Sequence, residues 1–458
     1  MPNPRRTSPV EPGSLRARQL LQTRKIWIVP LIIASLFISL VSVIYIGSVI
    51  NPTGHLHALP VIVVNEDSGA SIGGHDVNVG ASITAALERS TEITGHLKLE
   101  SASLARAQTT MNKAGAYATL VIPATLSRSV LLAAGRSTPG SPPPAQATID
   151  LEENLRLGSL GVNLAAGVIT PAIAKISPQV GSQLSTLATP AAKNNPVLAG
   201  RLTNPVTLST VSYRTLPDHS AVGLSAFYIA LLSILSGFIG ATLINSSIDA
   251  ALGYSTTELG PHWKQNRPVA INRRQTFLTK WGIAVLAAPI LTGILLLIAV
   301  GALGMYAPHI WLLWLLCALA SLMIATGTLA LLAAFGSIGQ LLAMILLIYL
   351  SLASSGGTIP IQALPGIFNI VGHVEPLRQV LTGTRAILYF GAQGDAGLTH
   401  SLVIVACELL FWALVGLGVT AWYDHRKLDR IAPDLLKYVE HAIEQRGSAH
   451  ADSRESEG

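Results

Sequence analysis

The run Ile26–Ile50 carries no charged side chain over a length that can cross a bilayer. At about 1.5 Å rise per residue, roughly 20 apolar residues span a hydrocarbon core of about 30 Å. A segment of this kind has few places to go except lipid. Further runs follow at about Val222–Ile244, Trp281–Met305, Ile310–Phe335, Ile338–Leu352 and Leu398–Trp422. The fourth follows the third after the turn Tyr306-Ala307-Pro308-His309, and Gly336 and Gly339 open the fifth. Charged residues make up only 12% of the 458 residues, about half the share of a soluble domain. That excludes an ordinary soluble enzyme, a disordered chain and a nucleic-acid binder with dense basic patches. The expected class is a polytopic α-helical membrane protein with six transmembrane helices.

Ile26–Ile50 is too long for the apolar core of a cleaved signal peptide, and no small-x-small site follows it. It is expected to be an uncleaved signal anchor. Orientation follows from Lys and Arg in short flanks. Arg5, Arg6, Arg16, Arg18, Arg24 and Lys25 precede the first span. Lys264, Arg267, Arg273, Arg274 and Lys280 follow the second, and Arg426, Lys427, Arg430 and Lys437 follow the sixth. Six spans bring all three clusters to one side. Both termini are therefore expected in the cytoplasm of a plasma-membrane protein, with the basic residues serving topology more than ligand binding. Leu15–Lys25 reads as an interfacial helix or as plain anchoring, and the tail is amphipathic to about Ile443.

This topology divides the chain into a cytoplasmic segment 1–25, a signal anchor 26–50, an extracytoplasmic domain 51–220, a membrane domain 221–422 and a cytoplasmic tail 423–458. The 51–220 domain is inserted between helices 1 and 2, and its charges nearly balance, unlike the inner loops. Leu59–Val64 is an apolar, β-branched run that reads as a buried strand, and Asn65–Gly69 supplies turn chemistry. Helices are expected over about 79–91 and 102–113, then a strand at Tyr117–Ile122 stopped by Pro123. A third strand at Ala147–Leu151 follows the Pro-rich loop 137–144. A small-residue helix from Leu155 to Ile176 and a last strand near Val206–Tyr213 complete a small sheet with covering helices.

Several chemistries are missing. No Gly-Lys dipeptide occurs, so no G-x-x-x-x-G-K-[ST] phosphate loop exists, and there is no H-E-x-x-H or complete G-x-S-x-G. Cys317 and Cys407 both lie within apolar runs, which excludes a disulfide framework. His55 and His57 have strand-like spacing for a metal but no further ligands, and read as a solvated loop. The sequence implies no enzyme, cofactor or metal.

Four groups of residues stand out. Glu408 sits mid-span, where a carboxyl costs about 2.5–3.5 kcal/mol on insertion scales and has to face the bundle interior or water. It is either a proton-coupling or substrate-contacting acid, or a protonated carboxyl bonded to a neighbouring helix. Gly237 and Gly240 signal close helix packing, and Asn245 with Asp249 caps the second span or lines a vestibule. Asn65, Glu66 and Asp67 are candidates for a ligand or for satisfying turn donors. Gly356, Gly357 and Pro360 break the helix after the fifth span. The stretch 361–390, with Pro376, Arg378 and Arg385, reads as an interfacial or re-entrant outer mouth.

The run LPVIVVNEDSG at Leu59–Gly69, directly after a signal anchor, resembles the start of the extracytoplasmic domain in YhgE/Pip (phage infection protein) membrane proteins. YATLVIPATL at Tyr117–Leu126 is similar to that family's strand followed by a proline-started helix. The clustered C-terminal spans, and the segment from Leu364-Pro365-Gly366 through Pro376 to Arg385, resemble ABC-2 type permeases. The arrangement also resembles the DUF3533 group. The resemblance implies export or resistance, any ATPase on a separate chain, and, from six spans as half a transporter, a homodimer. This chain lacks the long extracellular insert of larger YhgE/Pip proteins. The expected role is therefore outward transport of an amphipathic or lipid-like compound. The alternative is a membrane-anchored envelope scaffold or receptor whose outer domain binds another protein. The lipid bilayer is the one certain partner, and no nucleic acid is expected.

Overall fold

The computed structural model describes residues 24–72, 75–134, 146–260, 262–428 and 430. The expected N-terminal interfacial helix up to Thr23, the Pro-rich loop 137–144 and the amphipathic tail from 431 lie outside the described residues. The chain enters as α1 (Arg24–Val49), an apolar helix that packs mainly along one neighbour, with Val49 at its end against the α/β core. Phe37 meets Tyr349 of that neighbour edge-to-face at 6.0 Å, while Leu31, Leu36 and Val43 point away from protein.

A mixed α/β unit follows. Its sheet runs in the order β4-β1-β5-β6-β7, from β1 (Leu59–Asn65), β4 (Leu97–Ser101), β5 (Ala118–Ile122), β6 (Ala147–Glu153) and β7 (Val206–Ser212). β1 pairs parallel to both β4 and β5, β5 pairs antiparallel to β6, and β6 pairs parallel to β7. A small hairpin of β2 (Ala70–Ile72) and β3 (His75–Val77) leads into α2 (Val79–Arg89) and α3 (Thr91–His96). α4 (Leu104–Asn112) and α5 (Leu126–Ala133) flank β5.

The unbroken apolar run of β1 is explained by cover on both faces. Val61 and Val63 join Ile83, Leu87, Val130 and Ile169 in one core, whereas Ile62 and Val64 pack with Ala107 and Met111 of α4 on the other.

The helix after β6 is longer than its sequence suggests, covering Ser159–Leu187 as α6. Its stripe Val162, Ala165, Ile169, Ile173, Ile176, Val180 and Leu184 lies against the sheet. Ser177 ties it to β7, donating to the Val206 carbonyl at 2.9 Å and accepting from the Val206 amide at 3.1 Å. The short helices α7 (Pro190–Asn194) and α8 (Pro196–Thr203) occupy a stretch whose composition specified little. β4 was not expected either, because Leu97-Lys98-Leu99-Glu100 consists of helix-tolerant residues and becomes a strand by pairing with β1.

The bundle comprises α9 (Ser225–Ala251), α10 (Arg273–Leu296, extended by a π-type turn to Ala302), α11 (Ile310–Phe335), α12 (Ser337–Ser354, with a π-type stretch Met344–Leu350) and, later, α15 (Leu398–His425). A hairpin of β8 (Thr257–Leu259) and β9 (His262–Lys264) joins α9 to α10. Between α12 and α15 lie α13 (Gly366–Val371) and α14 (Pro376–Tyr389). Far from lying flat at an interface, α14 is buried along almost its whole length and packs against α9, α11 and α15.

Among the described residues, seven helices are long and apolar enough to cross a membrane, one more than the expected six. The additional one is α6, whose Ala-, Gly- and Ile-rich composition suits a lipid face and a sheet face equally well. Its apolar stripe is occupied by the sheet.

α11 is the central helix, with 72% of its apolar window buried against α9, α10, α14 and α15. α9 approaches it closely at Gly237, where a Cβ would overlap the Ser321 carbonyl of α11, and Ser236 Oγ reaches Ser321 Oγ at 3.0 Å. At Gly240 an added Cβ would meet only Leu291 Cδ1, at 3.3 Å. Gly237→Ala is expected to cost about 1–3 kcal/mol by overpacking and to lower the detergent-solubilised melting temperature. Gly240→Ala should melt within a degree or two of wild type.

Candidate functional site

Two cavities lie at opposite ends of the bundle. The larger, about 880 Å³, sits where α9 ends, α10 begins and α15 ends, away from the α/β unit. Its polar wall is built on Asp249. Lys280 Nζ donates to Asp249 Oδ1 at 2.6 Å and to Asn245 Oδ1 at 2.8 Å. Arg430 forks onto the same carboxylate at 2.6 and 3.0 Å and stacks over the Tyr254 ring at 4.6 Å. The side chains of Lys280 and Asp249 are only 8% and 10% exposed, whereas that of Arg430 is 29% exposed. Leu329, Leu332, Ala333 and Phe277 add apolar lining. The cavity is thus amphipathic, and the two cations on one carboxylate leave it a net positive charge. α10 is anchored nearby, since Asp424 accepts from the Arg273 and Arg274 amides at 2.9 and 3.0 Å.

This triad gives Lys280 a structural partner beyond its topological role, and of the two readings of Asn245 with Asp249 it fits the vestibule lining and not the cap. The signal was present, because Asp249 and Lys280 face each other across one short connection, and a charge inside a span needs a partner on a neighbouring helix.

The smaller cavity, about 370 Å³, lies between the α/β unit and the break after α12. Tyr117, Gly115, Gln362, Arg378, Thr382 and Arg385 line it. Arg385 Nη2 donates to the Gly357 carbonyl at 3.2 Å, beside Gly158, whose φ of +116° and missing Cβ leave room for the guanidinium. Burial pushes the Tyr117 phenol up, with Arg385 and then Arg378 pulling it back. Lys113 of the α/β unit pairs with Asp395 at 2.9 Å on the rim. Pro376 begins α14, one residue after Glu375. The expected outer-mouth residues Pro376, Arg378 and Arg385 therefore share one helix, and Arg378 and Arg385 share a cavity.

Glu408 stands on α15, half-buried, and its Oε1 is enclosed without a partner among the described residues. Glu375 lies close enough to act on it electrostatically, and Glu375 Oε2 is likewise enclosed and unpartnered among the described residues.

The Asn65-Glu66-Asp67 motif is built into the α/β core. Asn65 Oδ1 accepts from the Asp67 amide at 3.0 Å, and Glu66 is exposed. Asp67 is buried and accepts from the Gly80 amide at 2.9 Å and from the Ser127 amide and hydroxyl. One carboxylate thereby serves the first turns of both α2 and α5. Gly80 has no space for a Cβ against Asn65 and Asp67. His55 and His57 turn their Nδ1 atoms to the carbonyls of Asn51 and His55, each at 2.8 Å.

The model of a family described as ABC-2 family transporter protein matches residues 25–417, most of the chain, and the chain belongs to that family. No curated protein matches it.

Two substitutions separate structure from ligand binding. Asp67→Ala should destabilise the α/β unit by roughly 1–3 kcal/mol through buried, unsatisfied donors, while Glu66→Ala leaves chemical denaturation unchanged. Asp249→Asn leaves Lys280 buried without its counter-charge and should cost about 3–5 kcal/mol. Arg430→Gln, at a more exposed partner, should lower the melting temperature by less than half as much.

Proposed function

We propose that this ABC-2 permease exports an amphipathic or lipid-like compound, driven by an ATPase carried on a separate chain. The observation that carries the reading is the family match across the bundle, from α1 into α15. The lack of a G-x-x-x-x-G-K-[ST] phosphate loop in this sequence supports an ATPase on a separate chain. An amphipathic cavity lined by Lys280, Asp249 and Arg430 and by Leu329, Leu332 and Phe277 suits a cargo with a polar head and an apolar body.

Orientation follows from charge. Lys264, Arg267, Arg273 and Arg274 between α9 and α10 and Arg426, Lys427 and Arg430 after α15 mark the cytoplasmic side. With α6 counted as part of the α/β unit, six spans remain. Both termini are then cytoplasmic, the α/β unit is extracytoplasmic, and the larger cavity opens inward. The likeness of Leu59–Gly69 to YhgE/Pip proteins supports the same outward role. Six spans form half a transporter, so the working unit is a homodimer.

A second reading, proton coupling, is favoured by one observation: Glu375 lies close enough to act on Glu408, and each carboxyl keeps one enclosed oxygen without a hydrogen bond to a described residue, although Ser351 bonds Glu375.

Deleting the gene and measuring efflux of a panel of amphipathic compounds tests the proposal. Loss of efflux, restored by wild type and by Glu408→Gln, supports ATP-driven export. Restoration by wild type alone, with Glu408→Gln expressed normally, supports proton coupling. Failure of every compound to distinguish the deletion strain overturns the export reading. It would then favour an envelope scaffold, tested by rescue with residues 26–220.

A further inference from the structure

Among the described residues, Arg156, Arg378 and Arg385 each have an enclosed guanidinium nitrogen without a partner, and only Arg378 and Arg385 line a common cavity, Arg156 donating to the Tyr389 carbonyl instead. Lys280 has Asp249 and Asn245, and Arg430 has Asp249. The Arg378 guanidinium has no hydrogen bond or ion pair to a described residue, and its Nη1 is enclosed. Arg385 spends its Nη atoms on the Gly356 and Gly357 carbonyls, at 3.5 and 3.2 Å, and leaves an enclosed Nε without a partner among the described residues. No carboxylate acts on either. Among the described residues, the groups that act on them electrostatically are the phenols of Tyr117 and, for Arg385, Tyr389. Tyr117 stays a neutral phenol, because burial outweighs the pull of both guanidiniums. The one carboxylate lining the cavity, Asp395, is already paired with Lys113 at the rim.

An unpaired buried charge is costly, and a planar guanidinium offers two parallel donors matched to an oxyanion. Arg378 and Arg385 lie seven residues apart on α14, so they present along one face, two turns from each other. The space between them, about 370 Å³, is within the range of small-ligand sites. Pro60, Leu157 and Ile361 supply apolar wall beside the donors.

We infer that this cavity, roofed by the α/β unit and floored by α14, is a binding site for an oxyanion group, phosphate or carboxylate, held by Arg378 and Arg385 under Tyr117. The site itself stands on the two guanidiniums. Its use as a headgroup subsite on the export route, which makes the cargo an anionic amphiphile, rests on the export reading above. Lys113 and Asp395 span the α/β unit and the start of α15, so they form the rim through which the anion enters.

The test uses the full chain in phosphatidylcholine nanodiscs, with dioctanoyl phosphatidic acid, inorganic phosphate and uncharged dioctanoyl glycerol as probes in thermophoresis. The expected result is saturable binding of the phosphatidic acid, competition by inorganic phosphate, and no binding of dioctanoyl glycerol that depends on Arg378. Arg378→Gln should weaken phosphatidic acid at least tenfold, and Arg378→Lys should fall between. The melting temperature of Arg378→Gln without anion should be no lower than wild type, since it removes an unpaired buried charge; a purely structural arginine would lower it. Arg106→Gln, at an exposed pair with Glu100, serves as the unaffected control.

Equal affinity for inorganic phosphate and phosphatidic acid would keep the oxyanion site and assign it to a free anion. Equal affinity of wild type, Arg378→Gln and Arg385→Lys for both probes would overturn the inference. Arginine-dependent binding in a protein that exports nothing would sink the export reading and leave the anion site standing. Normal export with arginine-independent binding would sink the anion site alone.

Discussion

Helices in lipid gain nothing by hiding apolar side chains from a solvent that is itself apolar, so α11 is held by close contact and hydrogen bonds. Its partners on α9 approach to backbone distance at Gly237 and Ser321, where Ser236 adds a hydroxyl pair. Trp281 Nε1 reaches Thr326 Oγ1 at 3.1 Å, and Trp314 of α11 reaches back to the Pro289 carbonyl at 3.0 Å. On the remaining side, Gly383 of α14 and Ser401 of α15 leave no room for a Cβ between them. The larger cavity opens at the end of this sheathed helix, beside Leu329, Leu332 and Ala333, whereas the smaller lies between the α/β unit and α14.

The charges divide by how they are satisfied. At the end away from the sheet, Asp249 collects Lys280 and Arg430 and ties together α9, α10 and the segment after α15. At the sheet end, Arg378 and Arg385 meet carbonyls and phenols but no carboxylate. The first arrangement is satisfied within the chain; the second leaves enclosed guanidinium nitrogens without a partner among the described residues. The α/β unit takes part in the second directly. Its core continues into Ile359, Ala363 and Leu364, and Arg156 donates to the Tyr389 carbonyl at 3.0 Å. Movement of α14 would therefore be felt in the sheet.

Much of this was legible in the residues. The uncharged run before Ile50 and the exact limits of α11, Ile310 to Phe335, follow from hydropathy alone, because nothing but a bilayer or a sheathed core accepts them. β1, β5 and β6 announced themselves as short β-branched runs ended by turn residues or proline. Less was legible in the candidate sites. Asp67 looked like a ligand or a turn residue, and only the fold shows that Gly80 and Ser127, far apart in sequence, present their amides to it. Lys280 looked like one more positive-inside charge until α9 set Asp249 beside it. Glu408 was conspicuous by depth, whereas Glu375, hidden in a connecting segment, was not singled out.

The sequence by itself determined the class, a multi-pass membrane protein with several long apolar helices, and the runs that became β1, β5 and β6. Hydropathy and β-branching act locally, so a linear reading captures them. Tertiary structure alone decided that α6 spends its apolar stripe on a sheet, that β4 is a strand, and that α14 is drawn into the bundle. It also decided which charges are paired and which are left open. Those outcomes depend on partners distant in sequence, and a side chain's chemistry is set by the group it meets as much as by its own type.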